Sequence, residues 1–259
     1  MATVTDSDRA AGRQITYLGH ATVLLELGGV RLLTDPVLRA RVAHLRRQGP
    51  APAPPRNLDA VLISHLHYDH LDLPSLRAVG DGPRLVVPCG AGEFLRRTGH
   101  DNVTELAPGE STDVRTARIT ATPAVHDGRR RPMGGPVAVP VGFQIETDGY
   151  RAYFAGDTDL FDEMEDLAGE LDLALLPVWG WGPTLGTGHL DPAEAARAAA
   201  MLKPRLAVPI HWGTLFPFGM ARRHPELLHD PPREFAARVA AMAPGVDVRI
   251  VEPGRSLDL

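Results

Sequence analysis

The sequence predicts a single α/β domain, and three observations carry that prediction. Short apolar runs bounded by turn residues recur along the chain. The 26 glycines and 24 prolines are too many for a helical bundle, and alanine-rich helical stretches are interspersed among the runs. The pattern falls into two similar halves, with no repeat of fixed period and no linker that would divide the 259 residues.

The elements follow in order. Residues 1–14 read as a flexible tail ahead of a domain spanning 15–259. Three apolar runs come next, Ile15 to Leu18, Thr22 to Leu27 and Val30 to Thr34, with Gly28-Gly29 as a hairpin turn between the last two. Residues 46–57 (RRQGPAPAPPRN) read as a proline-rich surface loop without core-forming capacity. Leu58 to Ser64 is a buried strand candidate, Leu85 to Val87 a shorter one, and Glu93 to Arg97 a helical turn. Ile119 to Thr122 is a strand that stops at Pro123, and Val141–Thr147 with Tyr150–Ala155 forms a hairpin around Asp148-Gly149. Leu171–Leu176 and Leu206–Ile210 are buried strands. Between them lies the clearest helix: Asp191 caps it, Pro192 takes its first position, and Ala193 to Leu202 run to the stop at Pro204. A second helix has Pro232 near its start, runs through Glu234 to Met242 and ends before Pro244-Gly245.

Composition narrows the function. Hydrophobic residues make up 44% and aromatics only 5%, so a core of useful size must rest on Val, Leu, Ile and Ala. A formal net charge of -5 leaves no basic footprint, so a nucleic-acid partner is not expected. The Arg129-Arg130-Arg131 run reads as a solvated turn, with anion contact as the alternative. Cys89 is the single cysteine, which rules out an intramolecular disulfide and favours a reducing compartment. The polar N-terminus lacks the apolar core of a signal peptide, and no run of about 18 apolar residues is present; a cytoplasmic location without a membrane span is expected.

The chemistry is concentrated in Ser64-His65-Leu66-His67-Tyr68-Asp69-His70-Leu71-Asp72, where four potential ligands fall within six residues as HxHxDH. A strand that empties into a tight loop lets His65 and His67 face one cation while Asp69 and His70 turn toward a neighbouring one. Imidazole suits zinc, iron and manganese, and carboxylate adds charge. The later candidates each sit where an apolar strand ends: His126 in TPAVHDG, Asp157 in AGDTD and His211 in PIHWGT. Singly each is as well explained by a structural role; their order is what joins them. Trp179, Trp181 and Trp212 lie in loops beside these candidates, as pocket wall or as buried packing.

Together these residues resemble the metallo-β-lactamase fold superfamily over nearly the whole chain, from about Gln14 to Val251. HLHYDHLDLPSL at 65–76, HLDPAEAARAA at 189–199 and PIHWGTL at 209–215 resemble most closely the branch of ascorbate-6-phosphate lactonase and N-acylphosphatidylethanolamine-hydrolysing phospholipase D. TYLGHATVLLELGGVRLLTDPV at 16–37 resembles the opening hairpins of that branch.

The resemblance implies a four-layer αββα sandwich and two divalent metal ions, zinc first, with manganese and iron as alternatives. His65, His67 and His126 would hold the first ion, Asp69, His70 and His211 the second, with Asp157 bridging. Asp35, in the TDP turn, would support the site from beneath, although a plain turn aspartate explains it nearly as well. His189, in GTGHLDP, resembles a histidine near the site in this branch; it would contact substrate or protonate the leaving group, or else be a histidine at a helix start with no catalytic part.

The expected activity is hydrolysis of a small phosphodiester, phosphorylated or lactone substrate by a hydroxide shared between cations about 3.5–4 Å apart, with Asp69 orienting it and taking its proton. An amide or thioester hydrolase is the second enzymatic reading. A diiron redox protein or a non-catalytic binding member is the alternative of another class. Redox relatives typically exchange a first-motif histidine for a carboxylate, and here His65, His67 and His70 are all present.

Overall fold

The structure, a computed structural model, describes residues 12–131, 134–180 and 186–259, so residues 1–11 of the expected tail and Trp181 lie outside the described residues. The first half runs β1 (Gln14–Gly19), β2 (Thr22–Leu27), β3 (Val30–Thr34), β4 (Arg41–Val42), β5 (Leu45–Arg47), β6 (Ala60–Leu62), α1 (Leu73–Val79), β7 (Arg84–Pro88), α2 (Gly92–Arg97) and β8 (Val103–Leu106). The second half begins with β9 (Ser111–Val114), β10 (Ala117–Pro123), β11 (Val141–Thr147), β12 (Tyr150–Phe154) and β13 (Leu173–Pro177). It ends with α3 (Pro192–Leu202), β14 (Leu206–Ile210), β15 (Leu215–Pro217), α4 (Asp230–Met242), β16 (Asp247–Val248) and β17 (Arg255–Asp258).

Two seven-stranded sheets result, ordered β17-β1-β2-β3-β6-β7-β8 and β16-β14-β13-β12-β11-β10-β9. Each joins an antiparallel part to a parallel one. β3, β6, β7 and β8 run parallel in the first sheet, and β12, β13, β14 and β16 in the second. The two hairpin turns foreseen from sequence are present with both central residues at positive φ, 52° and 80° at Gly28-Gly29 and 47° and 70° at Asp148-Gly149. That geometry matches the right-handed twist of the strands they join.

Side-chain alternation sets the layers. Ile15 and Tyr17 of β1 are fully buried while Gln14 and Thr16 are not, so one face of that strand turns inward. β13, LALLP, is buried throughout, as expected for a parallel strand covered on both faces. The larger core joins Leu25, Leu32 and Leu62 of the first sheet to Phe143, Ile145 and Phe154 of the second. It continues through Leu175 to Ala195, Leu202, Phe235 and Val239 on α3 and α4. A second cluster, including Leu33, Val61, Leu76, Leu85 and Leu95, packs α1 and α2 on the outer face of the first sheet. The layers are therefore helix, sheet, sheet, helix, in one domain.

The helix starts follow capping chemistry. Asp191 accepts from the Glu194 amide at 2.8 Å while Glu194 accepts from the Asp191 amide, a reciprocal box that satisfies two otherwise unpaired donors. α1 was not foreseen, although Asp72, which accepts from Ser75 N at 3.1 Å, and Pro74 are its starting signals. β8, β9, β16 and β17 were also missed, being short and polar. The expected Leu58–Ser64 strand contracts to Ala60–Leu62 because its end is spent on the site loop.

The 46–57 stretch needs correction. Arg46 and Arg47 belong to β5, which pairs with β15, and Arg47 is buried. Its guanidinium donates to the carbonyls of Leu18, Val37 and Arg39 at 3.0, 2.5 and 3.2 Å, so a charged residue holds loops together from inside. Among the described residues no helix is long and apolar enough to cross a membrane.

Candidate metal centre

Strands of both sheets end at one edge, and the loops leaving them carry the chemistry. β6 leads into Ser64 and His65, β3 into Asp35, β12 into Asp157 and β14 into His211, while β10 delivers His126. Crevices beyond the carboxyl ends of parallel strands are where open α/β sheets build sites. Gly156 lets the sheets approach here. It has φ 63°, and a Cβ on it would stand 2.6 Å from the Ser64 Cβ.

The structure brings all seven sequence-predicted ligand residues together. His65 Nε2 and His126 Nε2 each lie 3.0 Å from His67 Nδ1. His70 Nε2 lies 3.2 Å from His211 Nε2 and 3.2 Å from Asp157 Oδ2, and His211 Nε2 is 3.2 Å from Asp157 Oδ1. Asp69 Oδ2 stands 4.0 Å from His70 Nε2. His189 Nε2 reaches to 3.5 Å from Asp157 Oδ2 and remains a quarter exposed.

Four of the five imidazoles are pinned through the far nitrogen. His126 Nδ1 donates to the Gly188 carbonyl at 2.7 Å, His211 Nδ1 to the Trp179 carbonyl at 2.6 Å, and His70 Nδ1 to Asp35 Oδ2 at 2.7 Å. Ser64 Oγ donates to Asp35 Oδ2 at 2.5 Å and so accepts from His65 Nδ1 at 2.9 Å. Carbonyls and carboxylates only accept, so the protons sit on these outer nitrogens. Asp35, fully buried, anchors His65 through Ser64 and His70 directly.

The donor set fits divalent cations. Zinc–nitrogen bonds of about 2.0–2.1 Å in tetrahedral array put neighbouring donors roughly 3.3 Å apart, close to the spacings here. Asp157 Oδ1 is buried and accepts no hydrogen bond despite its nearness to His211, the arrangement of two lone pairs aimed at a common centre. Among the described residues, groupings able to surround an ion are His65–His67–His126, His20–Asp69–His70–His211, His126–Asp157–His189 and Asp35–His65–His70, the last already joined by hydrogen bonds.

Electrostatics agree. Burial above all, reinforced by neighbouring imidazoles, keeps His65 well below its usual pKa, lowers His67, and pulls His20 down to about 3. Burial likewise takes His126 down to about 4. Neutral imidazole is the ligating form. Burial opposes ionising Asp157 and Asp69, but the histidines facing them outweigh it and hold both carboxyls well below the usual range. Burial also opposes charging His70, yet Asp157 and Asp35 on either side raise it well above an ordinary imidazole. A cation would take the place of that proton.

Two residues were missed. His20, in the turn after β1, is buried, with Nε2 3.1 Å from Asp69 Oδ2 and its ring 3.7 Å from that of His211. A lone histidine between a glycine and an apolar strand carries no spacing signal, because its partners are 49 and 191 residues away. Arg130 corrects the reading of its run as a solvated turn: it is buried, donates to Leu66 and Leu71 carbonyls at 2.7 and 3.1 Å, and lies over the Tyr68 and Phe94 rings. Those two carbonyls bracket the ligand loop. Trp212 is core packing against Tyr17, and Trp179 stacks on Phe216. Beside His189 and Trp179 opens a cavity of about 510 Å³.

Known proteins are similar to this chain over most of its length. The family profile described as Beta-lactamase superfamily domain matches residues 30–212. A metal-dependent hydrolase of Opitutus terrae is 34% identical over 256 residues, covering 95% of this chain and all of that protein. The N-acyl-phosphatidylethanolamine-hydrolyzing phospholipase D 1 of Caenorhabditis elegans is 32% identical over 243 residues, 84% of this chain and 68% of that protein. The metallo hydrolase Igni18 of Ignicoccus hospitalis superposes with a TM-score of 0.71 at 26% identity, covering 96% of this chain and 99% of its own.

Proposed function

The chain belongs to the metallo-β-lactamase superfamily and is a metal-dependent hydrolase, and from that premise we propose that it hydrolyses a small phosphodiester or related phosphorylated or lactone substrate with two divalent ions. The observation that carries the reading is that five histidines turn one nitrogen each toward a shared space, four with the other nitrogen hydrogen-bonded to a protein oxygen. His65, His67 and His126 would hold the first ion and Asp69, His70 and His211 the second, with Asp157 contributing its carboxylate to the same centre. An imidazole-rich set of this kind suits zinc, with manganese and iron as alternates.

When bound, the ions supply Lewis acidity: they make a water acidic enough to attack near neutral pH and neutralise charge on the substrate oxygen. The protein does the rest. Asp69, 13% exposed and ionised, accepts the proton of the attacking water, its carboxylate held in place by His20. His189 Nε2 faces the same space from the solvent side and delivers a proton to the leaving oxygen. The adjoining cavity is walled by Asp159, Asp230 and Glu234 with no arginine or lysine among its described residues, which favours a neutral or cationic leaving portion over a second phosphate. The relative named as a phospholipase D supports a phosphodiester.

The test is hydrolysis of a chromogenic phosphodiester by protein reloaded with zinc or manganese, beside a chelated control. Turnover that the chelator removes supports the reading. No turnover with metal bound rejects the phosphodiester and moves the search to lactones and other carboxyl-derived substrates.

A further inference from the structure

His20 sits in a backbone conformation that costs free energy. Its φ is 60°, in the left-handed region that L side chains avoid. Gly alone would occupy it without that cost. The neighbourhood nevertheless fixes the turn from several directions. Gly19, at φ 107°, packs where a Cβ would stand 2.6 Å from Thr214 and 2.9 Å from Arg47. The His20 amide donates to Thr214 Oγ1 at 3.0 Å, and its carbonyl accepts from the His211 amide at 2.7 Å. Arg47 holds the Leu18 carbonyl just before it. A strained residue persists when its surroundings over-determine it, and such residues gather at working sites.

The side chain is what the strain positions. Asp69 can only accept, so the 3.1 Å contact is His20 Nε2–H donating to Asp69 Oδ2. The ring lies against His211 at 3.7 Å, its face on a neighbouring ligand candidate. Five histidines and two aspartates already supply the donors assigned above, and the closest contacts of His20 at the centre are with Asp69 and His211.

We propose that His20 is a positioning residue: held in a strained turn, it fixes the carboxylate of Asp69 through Oδ2 and the ring plane of His211, so that both face the centre in one orientation. The proposal rests on the ligand reading of Asp69 given above.

Two substitutions separate it from its rivals. His20→Asn tolerates the same φ but is too short to reach Asp69 in the same way; His20→Gln keeps a donor near the Nε2 position. The expected result for His20→Asn is a melting temperature no lower than the parent's and the same zinc equivalents after dialysis. Zinc affinity should nevertheless weaken about 10- to 100-fold, as for other groups that orient ligands, with His20→Gln recovering most of it. In an Asp69→Asn background, where the acceptor is altered, His20→Asn should add nothing. Loss of a whole zinc equivalent in both His20 variants would make His20 a ligand and overturn the proposal. Unchanged affinity in His20→Asn would overturn it too, as would an added effect in the Asp69→Asn background. Because the readout is zinc binding, failure of phosphodiester turnover in the parent bears on the substrate alone.

Discussion

Replacing Asp35 with Asn changes one atom in a fully buried group and should reach the metal centre through a tautomer. Asp35 Oδ1 accepts from Ser64 N at 2.7 Å, while Oδ2 accepts from Ser64 Oγ at 2.5 Å and His70 Nδ1 at 2.7 Å. In Asp35→Asn the amide oxygen can keep the Ser64 amide, but an NH2 group then faces His70 Nδ1. Two donors cannot share that contact, so the His70 proton moves to Nε2, which is turned toward Asp157 and the cations. The backbone is not the difficulty, because Asn tolerates the φ of 32° found here about as well as Asp. A hydrogen bond to a charged group contributes about 1.5–3 kcal/mol. Taking about 2 kcal/mol, at 1.4 kcal/mol per tenfold, gives a loss near 30-fold in metal affinity, inside the roughly 10- to 100-fold range for residues that orient ligands. The assay is competition for zinc against a chromophoric chelator, run on parent and variant. An affinity within threefold of the parent would refute the chain of reasoning from Asp35 to His70 to the metal.

Asp157→Ala should lose metal and turnover together, since an anion is removed from between two cations; metal content by elemental analysis with full activity retained would end the assignment. His189→Ala should keep the metal content of the parent while lowering kcat by about 10²-fold or more, the usual worth of a positioned proton donor; unchanged kinetics would return His189 to a structural role. The metal-free protein should lose stability as the pH falls from 6.5 toward 4, by up to about 1.4 kcal/mol per pH unit for each histidine the fold keeps neutral. His20 and His126 are depressed to about 3 and about 4, so over that window the unfolded chain binds more protons than the folded one. His70 is raised instead, and its contribution stays fully present below 6.5, so it does not offset the loss. A melting temperature flat across the window would contradict the buried neutral histidines.

How much of this was legible depends on whether a signal is local. HxHxDH declares itself because four donors are packed into six residues, and Gly28-Gly29 and Asp148-Gly149 because turn conformation is written in two residues. His126, Asp157 and His211 are weaker, each needing its place at the end of an apolar strand and its order after the first motif. The αββα layering came through resemblance, since the periodicity of short buried strands says that they are covered on both faces but not by what. His20, Arg47 and Arg130 were invisible for a common reason. Each looks like an ordinary polar residue in a turn, and each owes its role to carbonyls, carboxylates or rings far along the chain. The triple arginine shows it plainly: Arg129 is exposed and pairs with Asp127, while its neighbour Arg130 is a buried bolt.

The ligand candidates are drawn from both sheets: His65, His67, Asp69 and His70 follow β6 in the first, and His126, Asp157 and His211 follow strands of the second. Any cation held there is therefore a clasp across the sandwich as well as a reagent. By mass action, free metal at a hundred times its dissociation constant adds about 2.7 kcal/mol per site to the folded state. A chelator would then do more than silence the enzyme. It would unfasten one edge of the two sheets, so amide exchange at the ends of β6, β12 and β14 should quicken while the strands remote from that edge keep their protection. The molecule's catalytic competence and the closure of its layers would thus be gated by the same ions.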